Sequence, residues 1–202
     1  MESYNTDYVS VINSILLMLD YQEKKLNEVR SSEKSEIVNA AVSSAKAASI
    51  LNVPIILTSA GSEYGQYLNE LTELFPSKDI IKRTSQNSDA LDDERILRLL
   101  KKYGRSKLII SGLWTSESLI ETAVHAIKEG YDVFGLIDGC GDISHDRHNF
   151  GVHRMLKIGV TPITWISLAS EWMNGWSDPS ENEVPEELFG KYNIMLSYLA
   201  RH

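Results

Sequence analysis

Cysteine is almost absent from this sequence, in which Cys140 is the single example among 202 residues. No disulfide can therefore form within the chain, and such scarcity is typical of proteins from a reducing compartment. The first eight residues are polar and acidic, so they lack the basic and then apolar pattern of a signal peptide. We therefore expect a cytoplasmic protein.

Excess positive charge and long apolar runs are also missing. The 20 Lys and Arg residues are outnumbered by 28 Asp and Glu residues, which gives a net charge of -8. Nucleic-acid binding needs clustered Lys and Arg, so no nucleic-acid partner is expected. No apolar run approaches the roughly 20 residues that span a bilayer, so no membrane partner is expected either. The hydrophobic fraction of 43% is that of an ordinary globular chain, and the length predicts one domain over residues 1–202.

Short apolar runs alternate with helical patterns along the chain. This order, with short connections, predicts a parallel sheet with helices on both faces. The predicted strands lie within 11–19 and at 55–58, 79–83, 108–111, 131–137 and 160–166. The predicted helices are 33–51, 68–75, 92–103, about 115–129, a helix within 142–158, 167–176 and 186–199. Core candidates in the helix within 142–158 are Phe150, Val152, Met155, Leu156 and Ile158.

The stretch from Leu108 to Ser118 is predicted to be a buried strand that leads into a helix. Gly112 ends the strand, and Thr115 or Ser116 is expected to cap the helix. Ser118 would then lie in the first turn, beside unpaired N–H donors and the positive end of the helix dipole. Enzymes place nucleophiles at such positions because the same donors can hold an oxyanion. Alone, however, a serine here is more often a cap residue.

Polar residues follow three of the predicted strands. Asp20 follows the first strand, Lys82 and Arg83 end the third, and Ser118 opens the helix after the fourth. Parallel strands bring their carboxyl ends to one edge of the sheet, where ligands of such folds bind. We therefore expect these side chains to meet in one pocket. Taken singly, the aspartate is more often a turn former and the two cations a solvated strand end.

Several motifs together resemble the isochorismatase-like hydrolase superfamily, which includes nicotinamidases and N-carbamoylsarcosine amidohydrolase. The active-site turn of that superfamily is similar to Gly112-Leu113-Trp114-Thr115 followed by Ser118. The Asp20-x-Gln22 motif and the run 83–88 add to the resemblance, which covers roughly residues 12–176. The patterns at 123–133, 138–142, 154–160 and 164–176 resemble one branch, made of oligomeric hydrolases of poorly defined substrate. The resemblance implies a three-layer α/β sandwich with a six-stranded, mostly parallel sheet, and a homo-oligomer.

The resemblance also implies roles for individual residues. Asp20 would be the general base, and Arg83 rather than Lys82 would be the cation that orients it. The Leu113–Trp114 peptide would be cis, and the backbone N–H groups of Trp114 and Ser118 would form an oxyanion hole. A small-molecule substrate, an amide, a carbamoyl compound or an enol ether, is expected, with neither metal nor cofactor. The predicted pocket residues are Gln22, Lys82, Asn87 and Glu117, and the loops 59–66 and 86–90 are expected to shape the pocket.

Two residues depart from the family pattern. Ser118 stands where most members have the nucleophilic cysteine, and Glu117 replaces the usual apolar residue. A hydroxyl is a far weaker acid than a thiol, and serine hydrolases normally pair it with a histidine. Three interpretations follow: a hydrolase in which Ser118 replaces cysteine or only places a water, an inactive ligand-binding or scaffold protein, or an engineered Cys-to-Ser form. Two departures together favour natural divergence over engineering.

Other residues suggest sites less strongly. The histidines at 125, 145, 148 and 153 and the nearby acids Asp142 and Asp146 invite a metal interpretation, but such histidines are more often surface residues. Cys140 is expected to be a small turn residue, although it could face the pocket. Trp172 and Trp176 suit either an exposed subunit contact or plain core packing.

Overall fold

Six parallel strands form one sheet in the order β3-β2-β1-β4-β5-β6. The computed structural model describes residues 8–76, 80–83 and 88–174. Within these ranges the strands are β1 (Ser14–Leu19), β2 (Ile55–Ser59), β3 (Ile81–Lys82), β4 (Lys107–Gly112), β5 (Asp132–Leu136) and β6 (Thr161–Ile163). The order places β1 and β4 side by side at the centre, so their carboxyl ends form the middle of one sheet edge.

Helices cover both faces of this sheet. They are α1 (Glu23–Glu28), α2 (Lys34–Ile50), α3 (Asn69–Leu74), α4 (Glu94–Tyr103), α5 (Ile120–Lys128), α6 (His145–Ile158) and α7 (Trp165–Asn174). One face packs against α1, α2, α3 and α7, and the other against α4, α5 and α6. The predicted three-layer α/β sandwich is therefore confirmed. None of these helices combines the length and the apolar character that a membrane crossing requires.

Strand β1 shows why its sequence lacks alternation. Leu16 and Met18 belong to the core on one face, whereas Ile15, Leu17 and Leu19 belong to the core on the other. All five side chains are buried, and each full burial stabilises the fold by about 1.5–3 kcal/mol. A strand that is covered on both faces buries side chains on both sides, which favours a continuous apolar run such as 15–19.

Some element boundaries differ from those predicted. Strand β6 ends at Ile163 instead of 166 because the Asp138 carboxylate accepts the backbone N–H of Trp165 at 3.1 Å, and α7 begins there. The loop predicted at 59–66 contains the end of β2 and a short 3₁₀ turn, Ser62–Tyr64. Helix α1 was not predicted. The predicted helix 186–199 and Trp176 lie outside the described residues.

Two of the core candidates in α6 were wrong. Phe150 is 70% exposed and Leu156 is 50% exposed, because α6 packs inward through Gly151 and Met155 instead. For Trp172 the sequence left both a subunit contact and plain core packing open, and the structure supports core packing. Its side chain is fully buried, and its Nε1 donates a hydrogen bond to Ser14 Oγ at 2.9 Å. Trp172 is therefore a core residue that fastens α7 to β1.

Gly112 allows the two central strands to approach at their carboxyl ends. It pairs with Leu19, has a φ of 135°, and a Cβ built on it would lie 1.9 Å from the Leu19 carbonyl oxygen. No side chain fits there without separating β1 from β4. Since Asp20 directly follows Leu19, this close approach sets the distance between the two chain segments beyond the sheet edge.

We expect Gly112→Ala to destabilise the protein by at least about 3 kcal/mol, because the strain of the positive φ and the backbone clash add together. Gly104→Ala is the matched control, since Gly104 also has a positive φ, 62°, but a Cβ added there would meet nothing within 4 Å. That control should lose only about 1–2 kcal/mol from the left-handed conformation. Urea unfolding measures both values, and equal losses would contradict the proposed steric role.

Candidate active site

Asp20 lies immediately beyond β1 in a left-handed conformation, with φ 57°. Its N–H donates to the Thr58 carbonyl at 2.9 Å, and its own carbonyl accepts the N–H of Gln22 at 2.7 Å. Aspartate tolerates positive φ better than most residues, and such outliers cluster at functional sites. The chain turns here from β1 into α1, and the Asp20 carboxylate is left completely buried.

Two cations share one oxygen of this carboxylate. Arg83 Nη2 lies 2.6 Å from Asp20 Oδ2, and Lys25 Nζ lies 2.9 Å from the same atom. All three residues are at most 6% exposed. The other carboxylate oxygen, Oδ1, is buried and has no hydrogen-bond partner among the described residues. The two Asp20 oxygens therefore differ: Oδ2 is held by two cations, and Oδ1 has no protein partner among the described residues.

Lys25 is a site residue that the sequence analysis missed. Besides Asp20, its ammonium donates to the Leu113 carbonyl at 3.3 Å and lies 4.9 Å and 5.8 Å from the ring centroids of Tyr64 and Trp114. It thereby links Asp20 to the turn that follows β4. The only available signal was its position, five residues after Asp20, and α1 is too short to show a helical period.

Ser118 lies in a π-helical turn, Thr115–Leu119, that precedes α5. The Leu113–Trp114 peptide bond before this turn is cis. Ser118 is 2% exposed. Neither Thr115 nor Ser116 caps the helix as predicted; instead the Asp142 carboxylate, from the loop after β5, accepts the N–H of Ser116 at 2.9 Å. The cap comes from a distant segment because Thr115 and Ser116 use their own hydroxyls for other contacts.

Thr115 connects the Ser118 turn to α6. Its hydroxyl hydrogen-bonds to the Gly141 carbonyl at 3.1 Å and to His148 Nδ1 at 2.9 Å. Burial lowers the pKa of His148 below its ordinary value, although the negative charge of Asp142 opposes this shift. Gly151 keeps this packing close, because a Cβ on it would lie 3.0 Å from the Ser116 backbone. The hydrogen bond with His148 and the close approach of α6 at Gly151 therefore fix this turn against α6.

A second hydrogen-bond route joins Asp20 to the Ser118 turn. Arg83 Nη1 donates to the Ser88 carbonyl at 3.0 Å, and the Ser88 hydroxyl donates to Glu117 Oε1 at 2.8 Å. Glu117, the unusual neighbour of Ser118, thus anchors the segment that orients Arg83. The three residues predicted to converge, Asp20, Arg83 and Ser118, are linked through Lys25 on one side and through Ser88 and Glu117 on the other.

A cavity of about 530 Å³ opens beside Arg83 at the carboxyl ends of β2 and β3. Of the predicted pocket residues, Gln22 and Lys82 line it together with Arg83. Glu117 bonds to Ser88 instead, and Asn87 lies outside the described residues. Six residues of the predicted pocket loop 59–66 also line it, and its volume suits a small molecule. Asp20 and Ser118 are not among the lining residues, so of the three residues predicted to share a pocket only Arg83 lines this cavity.

Cys140 does not supply the missing thiol. It is 1% exposed, and its Sγ donates to the Leu136 carbonyl at 2.9 Å. Burial raises the pKa of this thiol to about 12, so almost no thiolate forms near neutral pH. Cys140 is a structural residue of the turn after β5.

Two of the histidines make hydrogen bonds within the protein. His148 bonds to Thr115, as described above. Among the described residues, one group has the composition and spacing of metal ligands: Asp89, Asp92 and His125, whose ligand atoms lie within 4.8 Å of one another. Asp89 already caps a 3₁₀ turn through Leu91 N–H and lies 2.7 Å from His125 Nδ1. The Asp89–His125 hydrogen bond and the turn cap by Asp89 account for the close spacing of this group.

We expect His148→Asn to weaken the acid sensitivity of folding. Because the folded pKa of His148 is lowered, its stabilising effect is complete above the unfolded value near 6.5 and is lost as pH falls through the folded pKa. The free energy of unfolding should therefore fall less steeply below about pH 6.5 in the variant, by at most about 1.4 kcal/mol per pH unit. His153→Asn, at an exposed position of the same helix, is the control, and identical pH profiles for wild type and His148→Asn would refute this role.

Comparison with known proteins agrees with this architecture. The Isochorismatase domain model matches residues 14–167. The "Probable hydrolase YcaC" of Escherichia coli is 29% identical over 195 residues, which cover 92% of this chain and 91% of that protein. A crystal structure of the Escherichia coli YcaC gene product, described as an octameric hydrolase of unknown specificity, superposes with a TM-score of 0.85 at 27% identity and covers 99% of this chain and 100% of that one. YcaC from Pseudomonas aeruginosa, solved with hexane-2,5-diol and covalent acrylamide, also gives a TM-score of 0.85, at 25% identity over 98% of this chain and 100% of that one. The sequence motifs, the sheet order and the family match together show that this chain belongs to the isochorismatase family.

Proposed function

We propose that the protein is a hydrolase of small amide or carbamoyl compounds, in which Asp20 moves the proton and Ser118 replaces the usual cysteine. The observation that carries this proposal is the difference between the surroundings of the two Asp20 carboxylate oxygens. Its Oδ2 receives two cationic donors, while its buried Oδ1 has no partner among the described residues. A carboxylate that is held this firmly, with one free oxygen, is suited to exchange a proton with a bound reactant.

The reaction can be written with the chain's own groups. Asp20 Oδ1 takes the proton of the Ser118 hydroxyl, or of a water placed by it, as the oxygen attacks the substrate carbonyl carbon. The carbonyl electron pair moves to oxygen, where the N–H groups of Trp114 and Ser118 are the proposed oxyanion donors. The oxyanion then collapses, the proton passes to the leaving nitrogen, and the C–N bond breaks. Water releases any acyl group on Ser118 by the same sequence of steps.

An enol ether is the alternative substrate within the same function. Cleavage of that bond begins when an acid protonates the substrate, so it requires the proton of Asp20 and no attacking thiol or hydroxyl. Ser118 would then only bind the substrate. The Ser118 variants described below separate the two substrates.

A ligand-binding role without catalysis is a second candidate function, favoured by one observation. A serine hydroxyl is a far weaker acid than the usual thiol, so it attacks only where a base is placed to take its proton. Serine hydrolases usually solve this problem with a histidine, but His148 contacts Thr115 in this site. In this alternative the pocket would bind its ligand and leave it unchanged.

We expect Asp20→Asn to lower kcat by at least about 100-fold, the usual contribution of a general acid or base. This change leaves Lys25 and Arg83 as two buried cations without their carboxylate, which could itself unfold the protein. The double variant Asp20→Asn with Lys25→Met has the same net buried charge as the wild type and therefore serves as the folding control. Turnover is measured on a panel of small amides, carbamoyl compounds and enol ethers. Wild-type turnover that persists in Asp20→Asn would refute the acid–base role.

The Ser118 variants identify the reaction. For amide hydrolysis, Ser118→Ala should abolish turnover and Ser118→Cys should raise it, because a thiolate is the better nucleophile. For enol-ether cleavage, Ser118→Ala should retain most of kcat. Ligand binding in the wild type, detected by a rise in melting temperature without turnover of any substrate in the panel, would support the binding protein instead.

We also propose that the chain self-associates, as its octameric relative does. The exposed apolar side chains of Phe150 and Leu156, both on α6, support this proposal, since exposed large apolar residues can mark an interface. Light scattering should give a multiple of the 22.7 kDa chain mass. Replacing Phe150 and Leu156 with Ser should reduce that mass, whereas Ile12→Ser, at a site that is 80% exposed, should not. A wild-type protein of 22.7 kDa would refute self-association.

A further inference from the structure

The buried charge cluster contains one more cation than its carboxylate requires. Arg83 and Lys25 both pair with Oδ2 of Asp20, and all three residues are withdrawn from water. Arg83 alone would balance Asp20, because one cation and one carboxylate form a neutral pair. An additional charge in the interior is costly, since it has lost its hydration. Charge balance within the fold therefore does not account for Lys25.

Lys25 also contacts the backbone of the turn that follows β4. Its Nζ lies 2.9 Å from Asp20 Oδ2 and donates to the Leu113 carbonyl at 3.3 Å. The rings of Tyr64 and Trp114 flank the same ammonium, with centroids 4.9 Å and 5.8 Å from Nζ. Lys25 is only 4% exposed, so water screens these contacts weakly. The ammonium thus bridges Asp20 and the peptide group that joins Leu113 to Trp114.

The peptide group that Lys25 holds carries an open donor. On one side of it, Leu113 N–H donates to the Leu19 carbonyl at 3.1 Å, and on the other, Thr115 N–H donates to the Gly141 carbonyl at 3.0 Å. Between them, Trp114 N–H has no acceptor among the described residues. Backbone N–H groups of buried residues are nearly always paired in native proteins. The Trp114 N–H is therefore available to an oxygen of a bound molecule.

A cation at the Leu113 carbonyl strengthens this open donor. The carbonyl and the Trp114 N–H belong to one peptide group, in which the nitrogen lone pair is delocalised toward the carbonyl oxygen. Positive charge at that oxygen increases the delocalisation and leaves the N–H more positive. Hydrogen bonds in series strengthen one another in this way inside a protein. Lys25 can therefore act on a bound oxygen through the Trp114 N–H, without touching that oxygen itself.

The bridging position of Lys25 matches the movement of charge in the proposed reaction. As Asp20 takes the proton, one negative charge leaves its carboxylate and one appears on the substrate carbonyl oxygen. Lys25 contacts the group that loses the charge and the peptide whose N–H is proposed to receive it. Favourable charges that are in place before the reaction lower the barrier, because nothing has to reorganise during it.

We propose that Lys25 is a positioning residue for this reaction: it holds Asp20 and polarises the peptide group between Leu113 and Trp114, so that the Trp114 N–H stabilises the negative oxygen of the tetrahedral intermediate. This role rests on the proposed function, since it concerns the same reaction. It predicts that loss of the Lys25 charge weakens the binding of a tetrahedral anion far more than the binding of a neutral substrate. In kinetic terms, kcat falls and KM stays nearly constant.

The test compares two probes of similar size, ethylboronic acid and propionamide. The boron atom accepts an electron pair from the Ser118 oxygen while the hydroxyl proton passes to Asp20, which gives a tetrahedral anion that boron NMR detects. Propionamide binds as a neutral planar molecule. In calorimetric titrations of the full-length protein, Lys25→Met should raise the Kd of ethylboronic acid at least about tenfold, equivalent to about 1.4 kcal/mol. The Kd of propionamide should change less than about threefold.

The matched control is Lys24→Met, which removes the same charge from an exposed position of the same helix. It should leave both Kd values unchanged. Lys25→Met retains the neutral pair of Asp20 and Arg83, so we expect it to fold. Lys25→Gln, with a neutral polar side chain, should give the same selective loss and replaces Lys25→Met in the comparison if that variant is unfolded.

The outcomes separate the role of Lys25 from the function itself. Equal weakening of both probes in Lys25→Met, an unchanged Kd for ethylboronic acid, or no tetrahedral adduct in the wild type would overturn the positioning role. Amide turnover that Lys25→Met retains in full would overturn it too, and would leave the hydrolase function standing. Selective loss of the boronate in Lys25→Met, with no turnover of any amide by the wild type, would support the positioning role and count against amide hydrolysis.

Discussion

The buried attraction between Asp20 Oδ2 and its two cations is the interaction on which the site depends. It joins three chain segments: the end of β1, helix α1 through Lys25, and the end of β3 through Arg83. Removing one member of a buried ion pair typically costs about 3–5 kcal/mol, because the remaining charge stays desolvated. The same contacts fix Oδ2 and leave Oδ1 free of the two cations, so the two oxygens of one carboxylate have different surroundings. The left-handed turn at Asp20 is tolerated within this framework because its neighbours hold it on both sides.

The Ser118 turn is held in a different way. Hydrogen bonds and close packing from the loop after β5 and from α6 fix its backbone. Asp142 caps it, Thr115 and His148 tie it to α6, and Gly151 lets that helix approach. Lys25 and the Ser88–Glu117 link connect this half of the site to the charge cluster. The candidate site therefore has two parts, the charge cluster and the Ser118 turn. The close contact between β1 and β4 at Gly112 sets the spacing between them.

The sequence predicted the parts of this arrangement that follow from regular geometry. A continuous apolar run such as 15–19 indicates a doubly covered strand, and the carboxyl ends of parallel strands lie at one edge, so Asp20 and Arg83 could be predicted to lie together. Lys25 could not be found in this way, because a six-residue helix shows no period and a lysine near an aspartate is usually solvated. The Asp142 cap depends on a contact between distant segments. Phe150 was assigned to the core because helical spacing identifies an apolar face without identifying what covers it.

The two parts of the site differ in how one substitution changes their charge. Loss of the Asp20 carboxylate would leave Lys25 and Arg83 as two neighbouring buried cations, whereas loss of either cation would leave one balanced pair. Asp20 is therefore the member of the cluster that tolerates replacement least. An exchange of oxygen for sulfur at Ser118 would alter one buried atom and leave these ion pairs untouched.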